Sequence, residues 1–80
     1  GAIPVRATMD GSYWSRPSPD AKDFVQPGQR VDIGDTIGLM EVMKTFSPLR
    51  STCSGVWIDT AIADGNAIQS GTIVGWVQPD

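Results

Sequence analysis

The sequence predicts an all-β sandwich made of two related halves, and three observations carry that prediction. Val56, Ile58, Thr60 and Ile62 alternate with Trp57, Asp59, Ala61 and Ala63, while Ile37, Leu39 and Glu41 alternate with Gly38, Met40 and Val42. A period of two belongs to strands, and no segment carries an apolar stripe at helical spacing. Glycine or proline recurs at Pro4, Gly11, Pro17, Pro19, Pro27, Gly28, Gly34, Gly55, Gly65 and Gly71, which leaves room only for short strands. The third observation is an internal repeat. Gly28-Gln29-Arg30-Val31-Asp32-Ile33-Gly34 matches Gly65-Asn66-Ala67-Ile68-Gln69-Ser70-Gly71 at an offset of 37, which continues through Ile37/Val74, Gly38/Gly75 and Met40/Val77.

Taken in chain order, the elements follow from that repeat. Ala7-Thr8-Met9-Asp10-Gly11 is matched by Ser51-Thr52-Cys53-Ser54-Gly55 at an offset of 44, so the first half holds about seven extra residues between Gly11 and Gly28. They fall in Ser15 to Phe24, where Pro17, Ser18, Pro19 and Asp20 dictate a turn or protruding loop rather than a strand. Tyr13 and Trp14 stand just before it, and whether they pack under it is left open by the sequence. Gly28 and Gly65 open equivalent turns into the next strands. The strand that ends at Val42 gives way to Thr45-Phe46-Ser47, which puts Met43 and Lys44 at a hairpin tip on the junction of the halves. Trp57 and Trp76 are expected in the core or half-buried on strands, and Cys53, the counterpart of Met9, as a small buried hydrophobe. Two sheets, each burying one face on the other about a pseudo-twofold axis, satisfy all of this.

Size and composition bound the function. Eighty residues, 40% of them hydrophobic, suffice for one compact domain spanning 1–80. A formal charge of -3 with only six basic residues excludes a surface built for nucleic-acid phosphates. With no histidine and a single cysteine, there is no zinc ligand set, no internal disulfide and no histidine-based catalytic triad. Asp32, Asp35, Asp59 and Asp64 read as turn and surface acids, so no independent enzyme site is expected. Nearly apolar stretches such as Thr72 to Val77 are far too short to cross a bilayer. Gly1 in place of a methionine leads us to expect a processed N-terminus or a longer parent chain.

Lys44 lies in the run Glu41-Val42-Met43-Lys44-Thr45, preceded by Gly28 to Thr36 and followed eleven residues later by Gly55-Val56. These motifs resemble the biotinyl domain of biotin carboxyl carrier proteins, over Val5 to Val77. The family's acceptor motif is Glu-Ala-Met-Lys-Met, so this chain departs from it at Val42 and Thr45. It also departs at Thr8, where the family has proline. Arg16-Pro17-Ser18-Pro19-Asp20-Ala21-Lys22, continued by Asp23 and Phe24, resembles the thumb insertion that marks the carriers of bacterial-type and plastid acetyl-CoA carboxylase.

The resemblance implies a flattened barrel-sandwich of two four-stranded antiparallel sheets with the acceptor lysine on a hairpin tip. It implies covalent biotin on Lys44 and recognition by a biotin protein ligase through Glu41, Val42, Met43 and Thr45, with the thumb close to the biotin. The partners it implies are biotin carboxylase and carboxyltransferase, in fatty acid synthesis through malonyl-CoA, and the location is the cytoplasm or the plastid stroma. Neither nucleic acid nor membrane enters this reading. Beside these roles stand simple exposure of Glu41 on its strand, core filling by Met43, and a solvated excursion without a role for Pro17 to Phe24. Two other functions compete: a lipoyl carrier, whose acceptor usually sits in Asp-Lys-Ala, and an unmodified barrel serving as an interaction module.

Overall fold

The computed structural model describes all 80 residues as eight strands and no helix. The strands are β1 (Ile3–Arg6), β2 (Gly11–Trp14), β3 (Arg30–Val31), β4 (Thr36–Val42), β5 (Thr45–Arg50), β6 (Gly55–Thr60), β7 (Ala67–Ile68) and β8 (Ile73–Pro79). They form two antiparallel four-stranded sheets, ordered β1-β8-β6-β3 and β5-β4-β2-β7. Replacing each strand of the first half by its counterpart in the second turns one order into the other, as the pseudo-twofold axis demands. The sheets pack as an open sandwich, flattened to extents of 36 × 27 × 19 Å.

Hydrogen bonds repeat at the two offsets found in the sequence. Gly28 N–H donates to Trp57 O at 2.8 Å and its counterpart Gly65 to Tyr13 O at 2.7 Å. Trp57 N–H donates to Gln29 O at 2.8 Å, and Tyr13 N–H to Asn66 O at 2.8 Å. Ser51 and Asp35 bond as Ala7 and Thr72 do, again at 2.8 Å in both. Each turn is therefore anchored on the opposite half, and neither half closes its backbone donors alone.

The core follows the same symmetry. Tyr13 and Trp57 occupy equivalent positions and are both fully buried, together with Ile37, Val74 and Val77. Each ring lies over a glycine of the other offset: a Cβ on Gly38 would fall on the Tyr13 ring, and one on Gly75 on the Trp57 ring. The aromatic bulk fits between the sheets because those two residues have none.

Two expectations are refined here. Along β6 it is Trp57 that turns inward, whereas Val56 and Ile58 are exposed on the outer face. Along β4 the alternation is broken by a register shift between Thr36 and Gly38, which lets Ile37 and Met40 both be buried. Trp76 is half-buried as expected. Cys53 and Met9 are also half-buried, packed against the edge of the core rather than enclosed by it.

Candidate functional site

The chain reverses between β4 and β5 in the shortest way available. Cross-strand pairing runs out to Val42 opposite Thr45, so only Met43 and Lys44 form the loop. Both have positive φ, 49° and 65°, the signature of a type I′ turn, whose twist matches that of the flanking strands. Neither is a glycine or asparagine, and an L side chain in this region costs about 1–2 kcal/mol. The long ladder below the tip holds that strained geometry in place. Met43 is 93% exposed, Lys44 is exposed, and none of the protein's three ion pairs engages the Lys44 amine. Val42, Thr45 and Phe46 beside it are exposed as well.

The inserted loop leaves β2 after Trp14 and has no regular structure, as its prolines dictate. Phe24 N–H donates to Ser15 O at 2.9 Å and closes its neck. Across the same neck Arg16 Nη2 meets Asp23 Oδ1 at 3.2 Å, and Ser15 Oγ donates to that oxygen at 3.2 Å. At the tip, Ala21 N–H donates to Ser18 O at 3.1 Å, a β-turn with Pro19 at its second position. Ser15 N–H donates to Asp64 Oδ1 at 2.7 Å and so ties the neck to the loop after β6. Pro17, Ser18, Pro19, Asp20 and Lys22 are exposed, and Ala21, Asp23 and Phe24 are half-buried.

Folded over the outer face of the β2-β4-β5 sheet, the loop encloses a cleft of about 220 Å³. Trp14, Leu39 and Phe46 supply its apolar wall, Arg16 to Pro19 its roof, and Asp64 a polar end. Of the site residues expected from sequence, Pro17, Ser18 and Pro19 line this cleft, whereas Asp20 to Phe24 form the tip and neck outside it. Lys44 is not part of the wall, but stands two residues from Phe46. Leu39, Phe46 and Asp64 were not legible as site residues, because the sheet register brings the first two under the loop and a bond from Ser15, 49 residues away, brings the third.

Glu41 is neither free in solvent nor buried. The Trp14 indole N–H donates to its Oε1 at 2.8 Å, across a sheet in which Trp14 sits opposite Leu39 and Ser12 opposite Glu41. Tyr13, pointing the other way from the same strand, donates to Ile37 O at 3.2 Å from within the core. Burial holds the Tyr13 phenol well above its ordinary range, and the Asp23 and Asp64 carboxylates push in the same direction.

The sandwich holds Lys44 outward on a two-residue turn in which both residues have positive φ. The family model described as "Biotin-requiring enzyme", which covers biotin- and lipoyl-bearing domains, matches residues 3–76, and the chain belongs to that family. The biotin carboxyl carrier protein of acetyl-CoA carboxylase of Haemophilus influenzae is 40% identical over 65 residues, covering 81% of this chain and 42% of that protein. A chloroplastic counterpart from Arabidopsis thaliana is 28% identical over 75 residues, 94% of this chain and 27% of the relative. The chain thus spans less than half the length of these relatives. Among solved structures, the Kluyveromyces lactis urea carboxylase superposes with a TM-score of 0.79 at 22% identity, over 98% of this chain and 6% of that one. That likeness concerns the fold.

Proposed function

We propose that Lys44 carries covalently bound biotin and that the domain ferries a carboxyl group from a biotin carboxylase to a carboxyltransferase, in an acetyl-CoA carboxylase that makes malonyl-CoA. The observation that carries the proposal is the tip itself: a lysine with no partner, held at positive φ in a two-residue turn, in a member of this family. The residues suit the group. Acylation of an amine calls for an exposed, unpaired nitrogen, which Lys44 has. A ring swinging on the resulting arm calls for an apolar hollow within reach, which the cleft beside Phe46 offers.

Biotin supplies the ring nitrogen on which a carboxyl group travels, and bond-making belongs to the partner enzymes. This chain contributes presentation. A free carboxylate does not acylate an amine, so the biotin protein ligase must activate the acyl group, and the rigid tip saves the entropy of ordering a loop. Met43, Val42 and Thr45 flank the amine and form the surface that the ligase meets. Tethering then keeps the ring at effective concentrations on the order of millimolar at each active site. The curated relatives described above are bacterial and chloroplastic, which supports a location in the cytoplasm or plastid stroma.

Intact mass after coexpression with a biotin ligase, followed by peptide mapping, tests the reading. One biotinyl group on Lys44 and none on Lys22 is expected. An unmodified chain, or lipoate in place of biotin, would overturn it.

A further inference from the structure

The pseudo-twofold axis makes departures from symmetry informative, because each marks a feature that only one half needs. The Trp14–Glu41 hydrogen bond is such a departure. Its counterparts are Ile58 and Gln78, which cannot form it, and at Ile58 the strand carries a bulge instead. In the acceptor half, β2 ends at Trp14 and the loop takes off, so one residue stands at the root of the loop, on the wall of the cleft and in contact with the acceptor strand. The ring also packs against the turn at Gly65, where an added Cβ would lie 3.5 Å from it. Packing on that side fixes the direction of the indole N–H.

We infer that Trp14 is a positioning residue for biotinylation: its indole holds the Glu41 carboxylate in one orientation on the outer face of β4, three residues before Lys44. The inference rests on Lys44 being the biotin acceptor. A glutamate on an exposed strand samples many rotamers, and a ligase that contacts it must freeze them. The Trp14 bond has frozen them beforehand. Ordering one such side chain is worth roughly a three- to tenfold factor in affinity. That factor belongs in KM for the domain rather than in kcat, because the acylated atom is elsewhere.

Four chains are compared with the unaltered one: Trp14→Phe, Glu41→Gln, Glu41→Ala, and the double variant Trp14→Phe/Glu41→Ala. Steady-state kinetics with a biotin ligase, biotin and ATP give KM and kcat for each, and the Trp14 Nε1–Hε1 resonance is recorded on the unmodified chains. Trp14→Phe is expected to raise KM roughly three- to tenfold with kcat within about twofold. Glu41→Gln keeps the accepting oxygen and should retain both the resonance position and a near-normal KM. Glu41→Ala should move the resonance and raise KM, with no further rise in the double variant. Additive effects, or an unchanged KM for Trp14→Phe, would overturn the inference. So would a Glu41→Gln chain as poor as Glu41→Ala, since charge alone would then account for Glu41. If the unaltered chain takes no biotin, the proposed function fails instead, while the resonance still reports whether the bond exists.

Discussion

Replacing Met43 by glycine should make the domain more stable and, on the proposed function, a poorer substrate for a biotin ligase. Met43 has φ 49° and is 93% exposed, so its thioether contributes almost no buried area while its Cβ occupies the left-handed region. Relief of that conformation is worth about 1–2 kcal/mol. Glycine gives back about 0.5–1 kcal/mol by enlarging the entropy of the unfolded chain. The balance is a gain of at most about 1.5 kcal/mol, centred near ~0.75 kcal/mol, and in a domain of this size that centre corresponds to a rise in Tm of roughly 3–6 °C. Thermal unfolding followed by tryptophan fluorescence measures it, alongside the initial rate of biotinylation. A lower Tm would refute the claim that the tip is strained. A raised Tm with an undiminished rate would show that the methionine is no part of what the ligase reads.

Two further outcomes follow from the core and from the loop. The folded state holds the Tyr13 phenol proton more tightly than the unfolded chain does, so stability should be flat below about pH 10 and fall as pH rises beyond it, at up to about 1.4 kcal/mol per pH unit. Urea titrations between pH 8 and 11 check this, and Tyr13→Phe should remove the alkaline fall; a fall that survives the substitution would assign it to another group. Deleting residues 16–23 and joining Ser15 to Phe24, the pair that already closes the neck at 2.9 Å, should leave a cooperatively folding domain that still accepts biotin on Lys44. Loss of cooperative unfolding by circular dichroism would make the loop a structural element.

What was legible in the sequence depended on how far apart the interacting residues lie. The tip needed only five neighbouring residues, and the loop only its prolines and the seven-residue mismatch between the halves. The duplication reached further, because Gly28 and Gly65 announce the same turn wherever they occur. Facing was harder to read along β6, where both alternating sets, Val56/Ile58 and Trp57, are apolar and period two cannot say which set turns inward. The offset of 44 that pairs Trp57 with Tyr13 holds the answer, since both rings need a glycine on the neighbouring strand of their own sheet and find it in Gly75 and Gly38. The Trp14–Glu41 bond spans 27 residues and depends on the register of β2 against β4, which no local pattern encodes.

Symmetry explains why the functional features gather where they do. A duplicated sandwich has two equivalent faces and two equivalent ends, and its hydrogen bonds are nearly indistinguishable between them. Function has to be written in what the halves do not share. The outer face of one sheet carries Val56 and Ile58 without any covering loop. The other carries Trp14, Leu39 and Phe46, and there the inserted loop roofs them into a cleft. The same sheet ends in the hairpin that joins the halves, so Lys44, Glu41, Trp14 and the loop all belong to one layer. On the proposed function the domain must present an amine and receive back the group attached to it, and both features stand on one sheet. Placing them on adjacent strands lets packing, not a flexible linker, set the distance between them.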